Sequence, residues 1–215
     1  MNPLSKPSAI IAIEGPIGAG KTSLSHRLAN QINAGLLLEN ADDNPFLARF
    51  YRDPKRYALA TQLFFLFQRS AQISGLKQPD LFSQPVVTDF LLDKDPLFAR
   101  LTLDDDEFHL YQTIYQQLQL QTPRPDLVIY LQARPAILME RIRKRAIGYE
   151  AQISSDYLNR LADSYARYFH QYDAAPLLIV NCENLNFVDN EQDFMRLVDR
   201  ISAMKGPREF FNQSE

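Results

Sequence analysis

Cysteine is nearly missing from this 215-residue chain, where Cys182 stands alone. A single thiol excludes an internal disulfide, and no Cys/His spacing resembles a metal site. Histidine is almost as sparse: His26, His109 and His170 are scattered and read as surface or cap residues. No run of about 18 apolar residues occurs, so there is no candidate membrane span. Met1 to Ser8 is polar and proline-containing, without the apolar stretch of a secretory leader. Neither sign of charge dominates. A net charge of −3 and a pI near 5.7 exclude a broad basic footprint for nucleic acid or an anionic membrane. Repeats, low-complexity tracts and Pro/Gly/Ser linkers are also missing. With 46% hydrophobic and 23% charged residues, the chain reads as one globular domain over 1–215, cytoplasmic by default.

Against that background, two periodicities alternate. Short apolar runs at Ala9–Ile13, Gly35–Leu38, Pro85–Asp89, Asp126–Leu131 and Leu177–Val180 predict five buried strands. Between them, helical spacing appears: Leu24, Leu28 and Ile32 after Lys21, then a helix opened by Asp53-Pro54 and running to about residue 75. Further helices are expected over Thr102–Leu120, Pro135–Arg145, from Ser154 or Ser155 through Tyr168, and over 190–203. Strands separated by helices imply a three-layer α/β sandwich around a parallel, five-stranded sheet, with ligands at the carboxyl ends of the strands. The helix over 54–75 is apolar on more than one face, which predicts burial in a core or a homodimer interface.

Gly15-Pro16-Ile17-Gly18-Ala19-Gly20-Lys21-Thr22, followed by Ser23, matches the phosphate-loop pattern G-x-x-x-x-G-K-[ST]. Its chemistry needs backbone N–H groups turned inward around phosphate oxygens, and glycines permit that turn. The helix start at Lys21 adds its positive end. Lys21 is expected on the β/γ-phosphates of ATP and the Thr22 hydroxyl on Mg²⁺. A strand before the loop and a helix after it give the context such a loop requires.

Glu39 and Asp89 each close a predicted strand, at the edge where ligands sit. One such carboxylate can take a proton from an acceptor hydroxyl and another can bind Mg²⁺, or either can cap the following helix. Asp42, Asp43, Asp93 and Asp104–Asp106 read as caps and solvated surface. Arg141, Arg143, Lys144 and Arg145 crowd one helix, with Arg141 and Arg145 on a shared face. They predict an arginine lid over the phosphates at about 141–150, or else charge complementing a helix end before Gly148.

These residues resemble the deoxynucleoside kinase family, over about 9–180, and within it the bacterial deoxyadenosine/deoxyguanosine kinase branch. The resemblance implies MgATP-dependent phosphorylation of a deoxynucleoside 5′-hydroxyl, with a purine favoured, by a homodimer. It makes Glu39 the general base, Tyr51 and Glu150 the holders of the sugar 3′-hydroxyl, and Gln62, Arg69 and Asp95 the readers of the base. Phe98 is implied in the pocket lining, Asp89 at Mg²⁺, and Arg141 and Arg145 at the transferred phosphoryl group. Amide, guanidinium and carboxylate together offer donors and acceptors to one edge of a planar base.

The chain departs from the family pattern twice. Phe90 follows Asp89 where the family has arginine, and Ile147 replaces the third lid arginine. Each missing donor is of a kind worth roughly 2–4 kcal/mol in a transition state. A kinase of the same fold acting on another small acceptor, and a weakly catalytic nucleotide-binding regulator, are the alternatives that these departures keep open. A thymidylate-kinase-like acceptor would want extra arginines, for which only Arg49 and Arg52 are at hand.

Overall fold

The structure is a computed structural model that describes Leu4 and residues 6–76, 84–118 and 123–212. The sheet has six parallel strands: β1 (Ile10–Glu14), β2 (Gly35–Leu37), β3 (Val86–Thr88), β4 (Leu127–Gln132), β5 (Leu177–Asn181) and β6 (Arg208–Asn212), in the order β2-β3-β1-β4-β5-β6. The five expected strands are all present to within a residue or two, and the count of five is corrected to six by β6. That strand pairs with β5 from Leu177↔Arg208 to Asn181↔Asn212 at the sheet edge.

The helices are α1 (Lys21–Ile32), α2 (Leu47–Arg52), α3 (Pro54–Leu76), α4 (Asp95–Thr102), α5 (Asp105–Gln117), α6 (Pro135–Arg145), α7 (Ser155–Gln171) and α8 (Glu191–Ser202). The single helix expected over Thr102–Leu120 is instead the end of α4 followed by α5. The break falls at Leu103–Asp104, where Asp104 forms a capping box with Glu107. Residues 119–120 of that expectation lie outside the described residues.

The apolar faces read from the sequence meet where the period places them. Leu24 and Leu28 of α1, Leu138 and Ile142 of α6, and Leu158, Leu161 and Phe169 of α7 are buried against the apolar strands. Each such side chain stabilises the fold by about 1.5–3 kcal/mol when fully buried. A second apolar cluster gathers Leu47, Phe50, Ala58, Leu66, Ile73, Phe90 and Tyr111. This cluster explains the broad apolarity of α3, which packs against α2, α4 and α5 of its own chain. His26, His109 and His170 are exposed, in keeping with surface roles. Among the described residues, no helix is long and apolar enough to cross a membrane.

Candidate active site

β1 delivers the chain into Gly15–Thr22. Gly18 takes φ 84° and Gly20 takes φ 97°, values that suit glycine. A Cβ on Gly18 would stand 2.7 Å from the Leu138 carbonyl oxygen of α6, so the loop and α6 approach backbone to backbone. Gly20 is the N-cap of α1, whose first turn carries no acidic residue to offset its positive end. Lys21 folds across its own loop and donates to the Gly15 carbonyl at 2.9 Å. Burial, then the neighbouring Lys94, pull the Lys21 ammonium below its usual pKa against Glu14, Asp89 and Glu39.

Asp89 follows β3 and is buried. Its Oδ2 accepts from Thr22 Oγ1 at 2.6 Å and its Oδ1 from the Glu39 backbone N–H at 2.7 Å. One carboxylate thus joins the phosphate loop to the residue expected as base. The Glu39 side chain accepts from Arg69, and Arg69 also donates to Asp95. The Arg69 guanidinium lies 5.2 Å from the Phe65 ring centroid and 6.0 Å from that of Phe90. Burial raises the Glu39 carboxyl, but Arg69, Lys94 and Lys21 outweigh it and hold it below the usual carboxylate value. Burial pushes Asp95 up to about 6 despite its bond to Arg69.

A cavity of about 610 Å³ opens at these strand ends. Gly18, Gly20, Lys21, Thr22, Ser23 and Asp89 form its phosphate-loop side, and Glu39, Tyr51, Gln62, Phe65, Phe98 and Arg69 its opposite wall. Gln62 donates to Thr102 Oγ1 at 3.3 Å. Its far end is covered by the segment after α6. There Arg145 pairs with Glu150, its Nε donating at 2.7 Å, and the Tyr149 hydroxyl donates to Asp42 at 2.5 Å while its ring stacks 6.2 Å from Tyr51. α6 ends not on Gly148 but on Ala146 at φ 53°, a left-handed conformation that costs an alanine roughly 1–2 kcal/mol.

Nearly all the expected site residues converge on this cavity. Gly15 and Ala19 shape the loop from behind. Asp95 stands behind Arg69, with Oδ2 unbonded among the described residues. Arg141 is held elsewhere, donating to the Cys182 carbonyl at 2.5 Å, because spacing along a helix assigns a face but not a neighbour. Phe90, buried in the second cluster, and Ile147, in the cavity wall, confirm that no arginine enters from those positions. Sequence reasoning missed Glu14, Lys94 and Tyr165. Their only signal was an acidic residue closing an otherwise apolar strand, which demands a buried partner.

The deoxynucleoside kinase family model matches residues 11–204. The chain belongs to the deoxynucleoside kinase family. Deoxyguanosine kinase of Bacillus subtilis is 34% identical over 199 residues, covering 90% of this chain and 96% of that protein. Deoxyadenosine kinase of Lactobacillus acidophilus is 33% identical over 196 residues, with 84% and 89% covered. Among solved structures, deoxyadenosine kinase from M. mycoides with the products dCMP and a flexible dCDP bound superposes with a TM-score of 0.79 at 25% identity, covering 91% of this chain and all of that one. The same enzyme with dATP bound gives a TM-score of 0.78. Like other deoxynucleoside kinases, this protein is a nucleotide-binding phosphotransferase built on the three-layer parallel α/β fold.

Proposed function

We propose that this kinase transfers the γ-phosphoryl group of ATP to the 5′-hydroxyl of a deoxynucleoside, with a purine preferred. The bridge through Asp89 carries the reading. It ties the Thr22 hydroxyl of the phosphate loop to the Glu39 backbone, so the phosphate-binding and acceptor halves of the site are held in register with each other. Glu39, ionised because Arg69, Lys94 and Lys21 offset its burial, takes the proton from the hydroxyl. Backbone N–H groups of Gly18 and of Gly20 to Ser23, with the Lys21 side chain, hold the phosphates, and Arg145 adds charge from the lid.

The side-chain oxygens of Thr22 and Asp89, which meet at the phosphate-loop side of the cavity, are hard donors of the kind Mg²⁺ takes, with phosphates and water completing its shell. That ion would neutralise charge on the β- and γ-phosphates. Tyr51 and Glu150, both at the cavity, bind the sugar 3′-hydroxyl. Gln62 and Arg69 read the base, with Asp95 orienting Arg69 from behind. Arg141, fastened to Cys182, steadies the lid helix in this arrangement. The whole chain acts as one cytoplasmic domain with its lid at about 141–150. It pairs as a homodimer, for which Phe67 of α3, half exposed, offers an apolar contact; sedimentation that finds only monomer at micromolar concentration would remove that element.

Incubating the protein with Mg²⁺, ATP and each common nucleoside or deoxynucleoside, and reading products by mass spectrometry, tests the reaction. The expected result is a 5′-monophosphate from one or two deoxynucleosides, absent with a Lys21→Ala variant. No product from any of them, with ATP still bound, would sink the reading.

A further inference from the structure

Lys94 lies in the 3-10 turn Leu92–Lys94 between β3 and α4 and is only 2% exposed. Its Nζ donates to Glu14 Oε2 at 2.7 Å and to the Tyr165 hydroxyl at 2.9 Å, and the Phe98 and Tyr165 rings lie 5.1 and 5.4 Å away. Glu14, wholly buried, also accepts from the backbone N–H groups of Gly15 at 3.2 Å and Leu91 at 2.6 Å. An ammonium has three donors. Glu14 and Tyr165 take two, and among the described residues the third has no acceptor. The side chain lines the same cavity as Lys21 and Glu39.

A buried ion pair is a poor stabiliser, and apolar replacements of the same volume do as well or better. Fold stability alone is therefore a weak reason for a lysine here. The cavity supplies another. Positions 90 and 147 hold Phe and Ile, and the Phe90 side chain is committed to the second apolar cluster. Of the other cations that line the cavity besides Lys21, Arg69 is held by Glu39 and Asp95 and Arg145 by Glu150, which leaves Lys94, four residues after Phe90.

We propose that Lys94 is a catalytic residue of this site, its free N–H donating to the phosphoryl group in transit and replacing a charge that neither position 90 nor position 147 provides. No bond to Lys94 forms or breaks. The phosphoryl group passes from ATP to the acceptor oxygen, the acceptor proton goes to Glu39, and the ammonium stays protonated throughout. This inference rests on the proposed reaction for the acceptor, and on the phosphate loop for the group transferred.

The test compares Lys94→Met, Lys94→Arg and the double variant Glu14→Gln/Lys94→Met, which leaves no unpaired buried carboxylate if the single change fails to fold. Lys94→Met is expected to lower kcat about 10²–10³-fold, with the ATP Kd and acceptor KM within about threefold of wild type. Lys94→Arg should recover at least about tenfold of that loss, and the double variant should repeat the loss while unfolding like wild type. A kcat within about threefold of wild type in a folded Met variant would overturn the proposal. So would ATP affinity falling in step with kcat, which would make Lys94 a support for Glu14 and the loop. ATP hydrolysis without acceptor, read on the same preparations, separates the two readings. Lys94-dependent hydrolysis with no 5′-monophosphate removes the deoxynucleoside and keeps Lys94. Monophosphate formation undiminished in Lys94→Met removes Lys94 alone, and a wild type inert in both assays removes both.

Discussion

Replacing Glu39 with Gln is expected to lower kcat by about 10²–10⁴-fold, the range for losing a positioned proton acceptor, while ATP affinity stays within about twofold. The amide keeps the length of the side chain and an oxygen for Arg69, so the fold should survive. What it loses is the capacity to take the hydroxyl proton. The wild-type pH profile adds an independent check. Because Arg69, Lys94 and Lys21 hold Glu39 below the ordinary carboxylate value against its burial, the base is lost only as pH falls through that lowered value. Any acid limb of kcat/KM that belongs to Glu39 should lie below the ordinary carboxylate value, apart from one near pH 6 that belongs to Asp95. Turnover of the Gln variant within about threefold of wild type would remove Glu39 as the base.

The largest effect on stability is expected at Arg69. Arg69→Met strands Glu39 and Asp95 without their shared cation, and breaking a buried pair from one side costs about 3–5 kcal/mol. For a chain of this length the Tm should fall by roughly 6–20 °C. The sign of the pH dependence follows from burial. Asp95 already stands at about 6 with the arginine present and rises further above its unfolded value without it, while Glu39 loses the first of the pulls that hold it down. The folded variant then binds more protons than the unfolded one across that window, so its stability falls as pH rises through it. The deficit against wild type should be greatest near pH 8 and shrink toward pH 5. Adding Asp95→Asn should recover part of it. A Tm within about 2 °C of wild type at pH 8 would show that the two carboxylates do not depend on Arg69.

The phosphate loop was legible because its glycines serve a conformation that other residues strain to adopt, and the strands because parallel strands buried on both faces are apolar throughout. Glu39 and Asp89 could be placed at the ligand edge once the sheet was known to be parallel. β6 escaped notice because Arg208-Glu209-Phe210-Phe211-Asn212 is a sheet edge, with Phe210 61% exposed, and charged edge strands look like tails. α4 was missed although Asp95-Pro96 opens it as Asp53-Pro54 opens α3, because its 8 residues are too short a stretch for helical periodicity to show. Glu14 and Lys94 are 80 residues apart, and a long-range pair leaves no local periodicity to find. The same limit applies to Arg141, whose anchor on Cys182 lies 41 residues away, just past β5.

Cys182, fully buried, sits between the phosphate loop and α6. Its Sγ contacts the Ala19 carbonyl of the phosphate loop at 3.8 Å and lies 3.4 Å from Arg141 Nη1 of α6. Burial raises the thiol's pKa, against the pull of Arg141, so the reactive thiolate is scarce. A reagent can reach it only when the phosphate loop and α6 part. The rate of labelling is therefore a clock for that opening, and with no second cysteine in the chain, the protein carries this probe without engineering.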